Sequence, residues 1–455
     1  MRSTTAALLI AGVATLLWLQ WPASGQSPRP TELAKPGTPK AIPRPAGDGK
    51  TDDTAALQAA IDAGSGRLDL PAGSFRLTQP LEIRLEKTGP FAVVGSGSTR
   101  LLMDGAGPAI RIVGTHGGTA APTTLKPGVW DGQRMPLVDG LEIFGQHPEA
   151  CGIELDGTMQ PTITRVTVRG AKHGIHIVKR NRNVQISDCH IYDNRGVGIF
   201  LDGVNLHQIN IVGSHISYNR EGGIVCRGSE IRNLQIGTCD IEGNQALSGP
   251  PAANVLLDVT TGSVREGAIV GCTIQHDHDA AASANIRFTG RPQEPMMVGN
   301  FSIANNVFSD VAVGIELNYA RGVSITGNTF MECYDASVHA VGSSNLVLSG
   351  NLVDRNPDYK DEVSRNMLLL EKCRDSIIDG CHLAAVNSPD GAIVLKECTW
   401  CQVTDCALLE CEATRVKLQG CEDCRISGLL VRKRTDDPAM TPVSDEAGQR
   451  NRIDP

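Results

Sequence analysis

Aromatic side chains make up only 4% of the 455 residues. That excludes a core built from packed rings and leaves little surface for stacking on flat ligands. Apolar runs at helical spacing are also rare, which excludes a helical bundle. Basic charge is not in excess. The net charge of −8 argues against nucleic acid as a partner of the whole chain. The chain is still 41% hydrophobic, too apolar to remain disordered.

What is present first is an amino terminus with a leader's grammar. Met1-Arg2 precedes an apolar run from Ala6 to Leu19, and small residues Ala23-Ser24-Gly25 follow. This predicts a signal peptide over residues 1–25. The expected locations are therefore secreted, periplasmic or cell surface. No stable membrane association is expected after cleavage. No cysteine follows the run, so lipid anchoring is not expected. Pro28, Pro30, Pro36, Pro39, Pro43 and Pro45 mark residues 26–45 as a semi-rigid linker.

Glycine, with 49 residues, punctuates a repeat. "VQISDCHIYDNRGVGIFLDG", "INIVGSHISYNREGGIVCRG" and "LQIGTCDIEGN" follow one another, and similar units precede and follow them. The Gly-Ile pairs begin at 152, 174, 198 and 223, a period of 22 to 25 residues. Such a period means a solenoid. Each unit offers short strands, no helix, and an apolar side that only stacking can bury. The expected fold is all-β, a right-handed parallel β-helix of about a dozen coils over residues 46–431, with a polar tail at 432–455.

Alternation assigns the faces. Ile186 and Ile191 point inward, with Cys189 at the bend between them. Val166, Ser214, Cys239, Cys272, Asn306, Asn328, Asn351, Cys381 and Cys406 take the same slot in other coils. Buried Asn there must hydrogen-bond its neighbours, whereas Cys acts as a small apolar filler. Cys398-x-x-Cys401 and Cys421-x-x-Cys424 have zinc-ribbon spacing. Because Cys373, Cys398 and Cys421 end the same strand in successive coils, repetition explains them without metal. Disulfides between neighbouring coils remain an alternative.

Ahead of the coils, "GDGKTDDTAALQAAID" (47–62) predicts a short capping helix with Leu57, Ala60 and Ile61 on one side, capped by Thr51 or Asp52. Together with "RLDLPAGSFRLTQPLEI" (67–83), it resembles the opening of the pectate-lyase-like, rhamnogalacturonase–epimerase family of secreted β-helices. That resemblance implies action on polysaccharide, by lyases, hydrolases or epimerases, and calcium as a cofactor to consider. The chain departs from the family's motifs. Asp52-Asp53 lies in the cap, Asp436-Asp437 in the tail, and no Gly-His-Gly occurs. His276-Asp277-His278-Asp279 matches the Asp-Pro-His-Glu of alginate epimerases only loosely. No family catalytic residue carries over.

The resemblance places a substrate groove on the Gly-Ile strand. The outward row there reads Glu154, His176, Phe200, Val225, Leu256, Arg287, Glu316, His339, with Asp156, Val178, Asp202, Arg227, Asp258 beside it. Arg195 and Arg220 precede this strand, and Lys179, Arg180 and Arg182 follow it. Such a basic rim suits an anionic sugar. For a lyase, Arg220 or Arg227 neutralises a uronate and His176 or Tyr218 acts as base. Glu154 and Glu221 complete the expected binding set. For an inverting hydrolase, Asp156 and Asp202 sit about 9.6 Å apart, two strand spacings. A non-catalytic adhesion or glycan-binding β-helix is the third reading. A rival face carries His190, His215 and Asp240 in three successive coils, with Tyr192, Ser217 and Glu242 beside them, a possible metal set. Before the Gly-Ile strand, loops lengthen at Asn244–Ala252, His276–Ser283 and Asn356–Arg365, and long loops on a rigid solenoid tend to carry function.

Overall fold

Parallel strands stack coil upon coil in three rows. The computed structural model describes residues 44–358, 363–384, 386–411, 414–432 and 441–454. The leader, most of the linker, Asp436–Asp437 and part of the 356–365 loop lie outside them. The first row passes through Ala150–Asp156, Gly222–Arg227, Ala253–Asp258 and Ala284–Thr289. The second includes Glu230–Gly237 and Ser263–Val270. The third includes His190–Tyr192, His215–Ser217 and Asp240–Glu242. Every pairing is with the equivalent strand one coil away, and all are parallel. This is the expected parallel β-helix.

The inward residues form one continuous core, including Ile186, Ile191, Ile211, Ile216, Ile236 and Ile241. The slot between second and third rows is filled as expected. Cys189, Ser214, Cys239, Cys272, Asn306, Asn328 and Asn351 are all buried. Asn328 shows why amides suit it. Its Oδ1 accepts the Asn306 backbone N–H and side-chain amide at 3.0 Å each. Its own amide donates to Ile303 O and Asn351 Oδ1, both at 3.0 Å.

A second ladder lies at the bend before the first row. The amides of Asn194, Asn219, Asn244 and Asn254 each donate to the next Asn, ending on Asn285, at 2.8–2.9 Å. The adjoining glycines are forced by this crowding. A Cβ on Gly198 would sit 2.7 Å from Gly223 O and 2.8 Å from Asn219 Nδ2.

The cysteines obey the same rule, and all fourteen are free and buried. Cys373, Cys398 and Cys421 stack at one bend through Thr399 N–H to Cys373 O at 3.0 Å and Glu422 N–H to Cys398 O at 2.9 Å. Cys401 and Cys424 continue a different row that begins at Ser376. Burial pushes the Cys189 thiol up to about 11 and those of Cys226 and Cys333 up to about 12, so they behave as apolar filler.

The amino-terminal end is closed by helix α1, Thr54–Asp62, with Leu57 and Ile61 fully buried and Ala60 packed at the edge of the core. Asp52 Oδ1 accepts the Thr54 N–H at 3.0 Å. Asp53 is turned inward and takes the Ala46 and Gly47 N–H groups at 2.6 and 3.0 Å. Within the polar carboxyl-terminal segment, two stretches pair with the coil before them. Thr441–Glu446 pairs with Thr414–Gln419, and Arg452–Asp454 with Arg425–Ser427. These segments are polar and largely exposed.

Replacing Asn328 with Ala should strand polar partners in both neighbouring coils. We expect a loss of about 2–4 kcal/mol in denaturant unfolding. In a thiol titration we expect little reaction in the native protein and fourteen thiols after unfolding under non-reducing conditions. Fewer would reveal disulfides.

Candidate functional site

The outward row of the first strand has the expected register. Glu154, His176, Phe200, Val225, Leu256, Arg287, Glu316 and His339 lie in line. Its middle is not an open groove floor, however. Phe200, Val225 and Leu256 are buried with Val197, Ala253 and Ala284 in a separate apolar cluster on this outer face.

His176 is held within this row. Its Nδ1 lies 3.7 Å from Glu154 Oε2 and its Nε2 lies 3.1 Å from Asp202 Oδ2. Its ring stacks on Phe200 at 5.4 Å. Burial opposes the imidazolium, but the bonds to Glu154 and Asp202 outweigh it and raise the pKa. A ring with both nitrogens facing carboxylates and a stabilised proton is a poor free base. His173 beside it behaves oppositely. Burial and the neighbouring His176 bring it down to about 4, and its Nδ1 accepts the Val197 N–H at 3.1 Å.

The other expected residues divide between places. Lys179 pairs with Asp156. Arg180 meets His116 Nε2 at 3.4 Å and lines a cavity of ≈ 430 Å³ with His207, Glu230 and Arg232. Arg182 donates to Thr119 O and Ala120 O, at 3.1 and 2.7 Å. Both arginines are thus committed to the inserted segment 114–136, which has no counterpart in the repeat. The rim therefore splits. Arg195, Arg220, Glu221 and Arg227 line a separate cavity of ≈ 380 Å³, roofed by residues 246–252. Arg227 also reaches Asp258 at 3.4 Å and the Phe200 ring at 5.9 Å.

Arg220 also faces a second cavity, of ≈ 680 Å³, on the other side of the same loop. Asp193, Tyr218, Gln245, Leu247, His276 and Asp277 line it too. The lengthened loops build this cavity, as their insertion suggested. Gln245 ties the two loops together, donating to His276 O at 3.0 Å and accepting the Ala284 N–H at 3.1 Å. His276 Nδ1 is bonded to Asp310 Oδ2, and His278 Nδ1 reaches Asp310 Oδ1 at 2.7 Å. The Asp310 bond raises the His276 pKa despite burial. Tyr218 is also raised, by burial and by the nearby Glu242 carboxylate. The ring of Tyr218 covers Gly243, where a Cβ would lie 2.7 Å from it.

His276, Asp277 and Asp310 were not chosen from the sequence. The two histidines flanking Asp277 in a long loop were the available signal, and Asp310 sits a coil away. The rival face is real as geometry. His215 pairs with His190 and Asp240 in register, and the His190 and His215 rings are 6.0 Å apart.

A family model for the right-handed beta helix region matches residues 131–286 and 259–414. The chain belongs to the right-handed β-helix family. Over 192 aligned positions the chain is 29% identical to the mannuronan C5-epimerase AlgE3 of Azotobacter vinelandii, covering 38% of the chain and 10% of that protein. The same length is 29% identical to AlgE1 of that organism, covering 13% of it. The chain thus matches only a small part of these relatives. Among solved structures, the A-module of A. vinelandii mannuronan C-5 epimerase AlgE4 has a TM-score of 0.43 at 15% identity, over 88% of this chain and 98% of that one. The Pseudomonas phage phi297 tailspike gp61 has a TM-score of 0.45 at 13% identity, over 86% and 76%.

The two adjacent histidines should titrate far apart. By NMR at about pH 5.5, between the two positions, His176 should be charged and His173 neutral. Replacing Asp202 with Asn should lower the His176 titration and leave His173 neutral at that pH.

Proposed function

We propose that this β-helix cleaves an acidic polysaccharide by β-elimination at the cavity shared by Arg220, Tyr218 and His276. The observation that carries the reading is the placement of a cation, an imidazole oriented by a carboxylate, and a phenol around one open cavity. Arg220 neutralises the uronate carboxylate, which makes the C5 proton acidic. His276, its Nδ1 held by Asp310, takes that proton on Nε2. The electron pair forms the C4–C5 double bond, and the C4–O bond breaks. Tyr218, which burial and Glu242 keep protonated, gives its proton to the departing oxygen. Arg195 and Arg227 in the adjoining cavity bind the next anionic residue.

Hydrolysis by Asp156 and Asp202 is less well supported, since Lys179 engages the first and His176 the second. The mannuronan C5-epimerase relatives favour chemistry at C5. Epimerisation shares the proton-abstraction step and differs in returning a proton instead of expelling the C4 oxygen. An exported location is part of the same proposal, supported by the leader grammar of residues 1–25.

With polyuronate as substrate, we expect ultraviolet absorbance from unsaturated ends. Arg220→Ala should lower kcat/KM by roughly a hundredfold. Because Asp310 raises the His276 pKa and the base must be neutral, activity should fall as pH drops through a value above 6.5. Asp310→Asn should move that limb to lower pH. Reducing ends without unsaturation would indicate a hydrolase. Deuterium incorporation from D2O without chain cleavage would indicate an epimerase. Binding without turnover would indicate a non-catalytic glycan-binding protein.

A further inference from the structure

On the third-row face, His215 and Asp240 are register partners in adjacent coils, and Glu242 follows two residues along the same strand. One donor atom from each lies within 4.8 Å of the other two, and among the described residues this is the one such group of His, Cys, Asp and Glu. We propose that His215, Asp240 and Glu242 hold a divalent transition-metal ion of the zinc class. Binding of the ion does not depend on the reaction assigned above.

The spacing fits the chemistry. His215 Nε2 is 3.0 Å from Asp240 Oδ2 and 3.7 Å from Glu242 Oε1. Donors around a tetrahedral zinc with bonds of about 2.0–2.1 Å lie about 3.3 Å apart. An ordinary ion pair would align an N–H with a carboxylate oxygen. Here Nε2 is shielded from solvent and has no hydrogen-bond partner, so it presents a nitrogen to the carboxylates without the geometry of a donated bond. The carboxylate of Glu242 is also steered. The Gln275 amide donates to its Oε2 at 3.0 Å, leaving Oε1 to face His215. Such outer hydrogen bonds commonly orient metal ligands.

Charge favours the ion as well. Two carboxylates beside one imidazole leave a net negative charge. A divalent cation would relieve that repulsion. One imidazole among the donors selects a borderline metal over calcium, which prefers all-oxygen sites. Three protein ligands leave a position open, as in catalytic rather than structural zinc sites. Tyr218, next along the chain from Ser217, the register partner of Glu242, lines the 680 Å³ cavity, so the ion would sit beside that cavity.

The test uses the full chain, stripped with chelator and titrated with Zn²⁺ by calorimetry, with thermal unfolding in parallel. We expect one ion per chain and a rise in Tm. His215→Ala and Glu242→Gln should each weaken binding at least tenfold and abolish the rise, while millimolar Ca²⁺ should not displace the ion. Glu242→Gln keeps size and one oxygen donor, so it serves if His215→Ala fails to fold. Absence of stoichiometric zinc would overturn the proposal. So would zinc binding unchanged in both variants, which would point to the cysteines instead. Since the readouts are binding and Tm, neither result bears on whether β-elimination occurs.

Discussion

Each coil can satisfy itself only through the coils above and below it. The backbone bonds run between coils, the apolar interior is shared between coils, and the amides at the bends complete their hydrogen bonds one coil away. This single constraint explains why Asn, Cys and Ser are interchangeable in the inner slots. Each is small, and each either donates to a neighbouring carbonyl or tolerates burial. It also explains why the fourteen cysteines serve as packing. Larger or unpaired groups in these slots would break the stacking on both sides.

A scaffold so regular leaves chemistry to its interruptions. The rows fix where a side chain emerges, and the inserted loops decide whether it faces a cavity. Arg220 stands on a tight bend, yet it lines two cavities because residues 244–252 fold over it. His276 is rigid for the same reason. Its carbonyl accepts bonds from Gln245 and Asn254, and its ring Nδ1–H donates to Asp310. Elsewhere along the row outward charges neutralise one another, as Arg111 does with Glu154.

The period, the faces and the inner row were legible in the sequence because each repeats at fixed spacing. Cys189, Ser214 and Asn328 were assignable from alternation alone. The cap was legible from Leu57 and Ile61. The site was legible only in part. Arg220, Arg227 and Tyr218 emerge where their position in the repeat says, and the lengthened loops were visible as breaks in the period. Which residues share a cavity was not visible. That depends on how the loops fold, which carries no periodic signal. That Glu154 and Asp202 flank His176 from the coils on either side, and that Arg180 meets the inserted segment 114–136, was not visible either, because neither contact follows from the repeat alone. The coil at 441–454 was read as a polar tail because it is polar and carries no Gly-Ile pair.

The central claim is that an anionic sugar sits at Arg220 beneath the paired loops. A crystal structure of the protein with a uronate oligosaccharide, in an inactive His276→Ala variant, tests it most directly. The account predicts a carboxylate on Arg220, its neighbouring residue between Arg195 and Arg227, and C5 turned toward the vacated imidazole position. Density for the sugar against His176, or in the cavity of Arg180 and His207, with the Arg220 cavities empty, would contradict it.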